Sequence, residues 1–144
     1  MIQKQGSINR CSISAMARSN IVMCPGTLML SERDLQHRME LSGAVAVITD
    51  EGRAERVENA LKAMGTKSKV KHKILVPTTR DKVSRSGWLS YDDLIQKDIP
   101  KEHTCVDNSS DDSMMIYFTS GTTGLPKMVD MPHKYSLGHY STAR

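Results

Sequence analysis

Ala44-Val45-Ala46-Val47-Ile48-Thr49 is an unbroken run of small and β-branched residues. A strand with one wet face alternates apolar and polar positions. A continuous run marks a strand covered on both faces, the habit of parallel sheets. Parallel neighbours need crossovers, and the flanks of the run supply them. Upstream, Ser31 stands in N-cap position with Glu32 and Asp34 in the first turn, Leu35, Met39 and Leu41 form an apolar stripe, and Gly43 offers a stop. This predicts a helix over 31–42. Downstream, Asp50 can cap a second helix over 53–64, with a stripe of Val57, Leu61 and Met64 and with Gly65 at its end. Lys73-Ile74-Leu75-Val76 reads as the next strand, ended by Pro77. Ile21-Val22-Met23-Cys24, halted by Pro25-Gly26, reads as a buried strand before the first helix. The order strand–helix–strand–helix–strand predicts βαβ units: an α/β fold with a partial parallel sheet and flanking helices.

Beyond this frame, residues 78–90 are polar and end in Gly87 and Trp88. Tyr91–Ile95 reads as a short helix halted before Pro100, and 101–112 as a polar loop. Met114–Phe118 is a fourth apolar run. Residues 1–14 are polar, without an apolar period, and are expected to be disordered and outside the domain. No acid occurs before Glu32, whereas Lys4, Arg10 and Arg18 do. That composition suits a mitochondrial transit peptide, and equally arbitrary sequence at the edge of a fragment.

The 144 residues amount to one domain. No stretch approaches the roughly 18 apolar residues of a membrane span. The net charge of +4 comes from interspersed Lys, Arg, Asp and Glu without a like-charged run, so it does not argue for a nucleic-acid partner. The three cysteines form no CxxC pair, which disfavours both a disulfide scaffold and a zinc site. The five His show no ligand spacing, and His133 and His139 read as surface residues. Asp107, Asp111 and Asp112 read as a solvated loop, Trp88 as a packing anchor, and Cys105 has no activating neighbour.

The chemistry gathers in Tyr117-Phe118-Thr119-Ser120-Gly121-Thr122-Thr123-Gly124-Leu125-Pro126-Lys127. Directly after an apolar run, the hydroxyls of Thr119, Ser120, Thr122 and Thr123 suit phosphate oxygens. Gly121 and Gly124 free the backbone to turn N–H groups toward an anion. Lys127 adds a point charge able to reach a polyphosphate, and Leu125 and Pro126 contribute backbone and shape. A Walker A loop is excluded: counted from Gly121, Pro126 falls where the second Gly belongs and Met128 where Ser or Thr belongs. An ordinary Ser/Thr/Gly-rich turn is the alternative to a phosphate loop.

This stretch resembles the phosphate-loop signature of the adenylate-forming superfamily, which includes acyl-CoA synthetases, peptide-synthetase adenylation domains and luciferases. Met128-Val129 after the Pro-Lys makes the resemblance closest to medium-chain acyl-CoA synthetases. Ala15–Thr27, the helix Leu35–Met39 and Gly87-Trp88-Leu89 with Tyr91 and Leu94 also resemble that group, in order. The resemblance covers 15–144, as part of an AMP-binding domain. It implies an acid–thiol ligase: a medium-chain carboxylic acid attacks ATP to give acyl-AMP, and coenzyme A then displaces AMP. The loop residues 119–127 would hold the triphosphate with Mg²⁺, and the localisation implied is the mitochondrial matrix.

Two departures stand beside the resemblance. Where the group commonly has a His after Pro-Lys, Met131 lies nearest and His133 follows. The group's adenine-binding segment, ribose-binding Asp and C-terminal catalytic Lys are not encoded. The chain therefore reads as a fragment, expected to be inactive and marginally stable on its own. The alternatives are a nucleotide-binding or regulatory module without chemistry, or a non-functional truncated product.

Overall fold

The fold was obtained as a computed structural model, which describes residues 7–79, 83–96, 102, 104–119, 124–136 and 138. They divide into two compact units: residues 26–79, 83–96 and 102 in the first, and residues 7–25, 104–119, 124–136 and 138 in the second. No helix among the described residues is long and apolar enough to cross a membrane.

The first unit is the α/β frame. Helix α2 (Glu32–Ser42) starts at a complete capping box: the Ser31 hydroxyl accepts from the Asp34 N–H, and the Asp34 carboxylate accepts from the Ser31 N–H. It stops at Gly43, in the left-handed conformation with φ 62°. Strand β1 (Ala46–Asp50) leads into helix α3 (Glu51–Met64), which returns the chain to strand β2 (His72–Val76). β1 and β2 pair in parallel, Ile48 opposite Ile74. A two-residue strand β3 (Leu89–Ser90) adds in parallel beside β2, giving the order β1-β2-β3, and runs into the short helix α4 (Tyr91–Ile95). Leu30, Leu35, Met39, Val47, Val57, Ala60 and Met64 form the core, with Leu61, Val70 and Trp88 packed on it. Leu41 departs from expectation: it lies off the stripe set by Leu35 and Met39 and is exposed. Asp50 occupies the N-cap position of α3 but makes no cap bond; its carboxylate pairs with Arg53.

The second unit is built on a hairpin. Strands β4 (Ser113–Thr119) and β5 (Lys127–Pro132) pair antiparallel, from Ser113 opposite Pro132 to Thr119 opposite Lys127. Helix α1 (Ser7–Arg18) belongs to the same unit. It begins inside the 1–14 stretch and runs unbroken past residue 14. Its end is fixed by Asn20, which accepts a positive φ of 51°, while the Ile21 N–H turns back to the Met16 carbonyl.

Ile21–Cys24 corrects the sheet expected from sequence. It is not a strand of the parallel sheet. Only Met23 makes a β-bridge, parallel to Met115 in β4, through Met23 N–H to Met114 O and Ile116 N–H to Met23 O. A parallel ladder would continue through residues 21 and 25. The Ile21 N–H is spent on the α1 cap, and Pro25 has none, so pairing ends at one residue. Met23 is buried, while Ile21 and Val22 stay exposed.

Candidate functional site

The apolar run Met114–Phe118 forms most of β4, as its β-branched and aromatic residues favour. Lys127 opens β5, so the chemistry-bearing stretch runs from the end of one strand of the hairpin to the start of the other. Thr119 and Lys127 are the last paired residues, directly opposite each other on the same face. Both are exposed, as are Gly124 and Leu125, and Pro126 is half-buried. A side chain at Gly124 would meet nothing within 4 Å, so packing does not demand a glycine there. Ser120, Gly121, Thr122 and Thr123 lie outside the described residues. Lys127 meets no carboxylate among the described residues. The register thus places a hydroxyl-bearing residue beside a lysine that meets no carboxylate among the described residues, and both side chains can donate to an anion.

The far end of the hairpin is closed by polar contacts. His133 N–H donates to the Asp112 carbonyl at 3.0 Å and Lys134 N–H to the Ser110 carbonyl at 2.9 Å. Lys134 pairs with Asp111, and the Ser113 hydroxyl donates to Asp130. The 104–112 loop is thus more than solvated aspartates. His133, expected at the surface, is half-buried and its ring lies 3.0 Å from the Asn108 amide nitrogen. No sequence signal marked Asn108.

In the first unit, the Gly87-Trp88-Leu89 segment is held to α3 by one carboxylate. Glu58 accepts from Arg85 Nε at 2.9 Å, Arg85 Nη2 at 2.7 Å and Trp88 Nε1 at 2.7 Å. Lys73 Nζ lies 5.3 Å from the Trp88 ring centre, within cation–π range. The Arg85 and Trp88 hydrogen bonds pull the Glu58 carboxyl down to about 2. Trp88 is a packing anchor, as expected. Among the described residues no group of three or more His, Cys, Asp or Glu could hold a metal ion.

A protein-family model described as AMP-binding enzyme matches residues 11–143. The chain belongs to the AMP-binding enzyme family. Within that family it is 39% identical over 131 residues to the mitochondrial acyl-coenzyme A synthetase ACSM5 of Homo sapiens, covering 90% of this chain and 21% of the relative. The Mus musculus protein of the same name is 38% identical with the same coverage. Mitochondrial acyl-coenzyme A synthetase ACSM1 of Homo sapiens is 37% identical over 83% of this chain and 19% of its own. The chain therefore spans about a fifth of the length of these relatives. Among solved structures, an anthranilate CoA ligase in complex with anthranoyl-AMP superposes with a TM-score of 0.81 at 18% identity, covering 96% of this chain and 26% of that one. The luciferase-like enzyme of the Zophobas morio mealworm gives 0.80 at 20% identity, with 99% and 32% covered. At such identities the likeness shows the fold alone.

Proposed function

We propose that the chain carries the phosphate loop of an AMP-forming acid–thiol ligase that activates medium-chain carboxylic acids in the mitochondrial matrix. In this reading residues 15–144 are part of an AMP-binding domain. The observation that carries it is the pairing of Thr119 with Lys127 at the two ends of the Ser/Thr/Gly-rich sequence 119–127, in a chain close to 38% identical to mitochondrial acyl-coenzyme A synthetases.

The ligands are ATP, the acid and coenzyme A. A carboxylate oxygen attacks the α-phosphorus; the new O–P bond makes acyl-AMP, and the bond to the β-phosphate breaks to release pyrophosphate. The thiol sulfur then attacks the acyl carbon and AMP leaves. The chain's own part is to grip the end that departs. Thr119, Ser120, Thr122 and Thr123 donate hydroxyls to β- and γ-oxygens. Gly121 and Gly124 let backbone N–H groups approach, Leu125 and Pro126 shape the turn, and Lys127 offsets charge gathering on pyrophosphate. Mg²⁺, held by the phosphates themselves, would share that charge.

Two measurements test this. In the 144-residue chain, pyrophosphate and ATP should perturb the amides of 119–127, and Lys127→Ala should weaken the effect. In a chimera, residues 15–144 replace the matching segment of the human relative and acyl-CoA formation is assayed. Lys127→Ala should lower kcat/KM about 10- to 100-fold, the scale of roughly 1–3 kcal/mol for a charge-assisted bond. A chimera whose activity ignores Lys127 and Thr119 removes the loop assignment.

A further inference from the structure

The contact between Asn108 and His133 admits one assignment of hydrogens. The Asn108 side-chain nitrogen lies 3.1 Å from the Ala17 carbonyl oxygen and 3.0 Å from His133 Nε2, and both contacts are partly buried. A carboxamide nitrogen only donates, with two hydrogens. One must go to Ala17, because a carbonyl can only accept. Turning the amide over would press Oδ1 against that carbonyl, acceptor against acceptor. The second hydrogen therefore faces His133 Nε2, which must offer its lone pair, and the ring proton sits on Nδ1. A proton on Nε2 would set two donors face to face.

The position of the pair gives it a role. Asn108 precedes β4, His133 directly follows β5, and Ala17 lies in the last turn of α1. Ser113 and Pro132 pair at this end of the hairpin, and Thr119 and Lys127 at the other. The two side chains thus tie three segments of the unit at the end opposite the candidate phosphate loop. We propose that Asn108 and His133 are a positioning pair, with His133 acting as a neutral hydrogen-bond acceptor that sets the base of the hairpin rather than as a ligand group. The affinity part of this rests on the phosphate-loop reading; the tautomer part does not.

The experiment uses the 144-residue chain labelled with ¹⁵N at histidine, with inorganic pyrophosphate as the probe. At neutral pH the His133 ring should carry its proton on Nδ1, and Asn108→Leu should abolish that preference. His133→Leu should weaken pyrophosphate binding about threefold to tenfold, the scale of one partly buried hydrogen bond. His133→Gln, whose Oε1 can still accept from Asn108, should restore it. A ring protonated on Nε2, or a Gln variant as impaired as the Leu variant, overturns the proposal. If Lys127→Ala leaves pyrophosphate binding unchanged, the phosphate-loop reading fails alone, and the tautomer still decides the pair.

Discussion

Glu58 shows how much one side chain can organise. Its two oxygens take three donors, and its carboxyl is held at about 2 against an ordinary 4.5. The folded value lies below the unfolded one, so between them the unfolded chain binds the extra proton. The stabilisation is complete above about pH 4.5 and is lost as pH falls toward 2. Glu58→Gln should cost about 1–2 kcal/mol at neutral pH, discounted for partial solvent screening. In paired melting curves from neutral to acid, the wild type should lose its advantage over Glu58→Gln as pH drops; a constant gap would deny the coupling. Gly65 makes a different demand. Its φ of 53° and ψ of −127° suit glycine alone, although a Cβ there would touch nothing within 4 Å. Gly65→Ala should therefore destabilise by about 1–3 kcal/mol through backbone strain alone, measured by chemical denaturation with an unchanged m-value.

Among the elements, α2 was legible because each of its signals is local. Ser31, Asp34 and Gly43 cap a helix whatever surrounds it. Ser31→Ala should accordingly cost about 0.5–2 kcal/mol, seen as a lower melting temperature with hydrogen exchange accelerated in the first turn of α2. The strands β1 and β2 were legible for the same reason, as compact β-branched runs. What escaped depended on partners distant in sequence. Ile21–Cys24 has the composition of a strand, but the α1 cap and Pro25 leave one residue free to pair. β3 is two residues long, too short to carry a period. β5, Lys127-Met128-Val129-Asp130-Met131-Pro132, mixes charge with apolar residues, and only its register against β4 makes it a strand. α1 escaped because Ser7–Arg18 has no acid in its first turn to announce a start. The site follows the same division. The types of residue in 117–127 were readable, whereas the opposition of Thr119 and Lys127, and the Asn108–His133 contact, needed the hairpin's pairing.

Taken as a whole molecule, the chain leaves apolar side chains in water on both units. In one, Met29, Leu41, Val45 and Ile95 are exposed; in the other, Ile21, Val22, Tyr117, Leu125 and Met128 are. Tyr117 and Val129 sit opposite each other on one face of the hairpin, and both are open. Exposed apolar surface beside strand edges favours association. The 144-residue chain should bind a hydrophobic dye while native and grow in apparent mass with concentration in light scattering. A concentration-independent monomer with no dye binding would contradict this.

The Glu58 contact also gives the protein an optical label. Trp88 is its single tryptophan, and its indole N–H rests on that carboxylate in the α/β unit. Tryptophan emission therefore reports one unit alone, and in particular whether the Gly87-Trp88 segment is still fastened to α3. The hairpin unit, with Tyr117 and Tyr135 among its described residues, is silent under selective tryptophan excitation. An unfolding curve followed by tryptophan fluorescence and one followed by circular dichroism watch different parts of the chain. Their agreement or divergence would say whether the two units melt together.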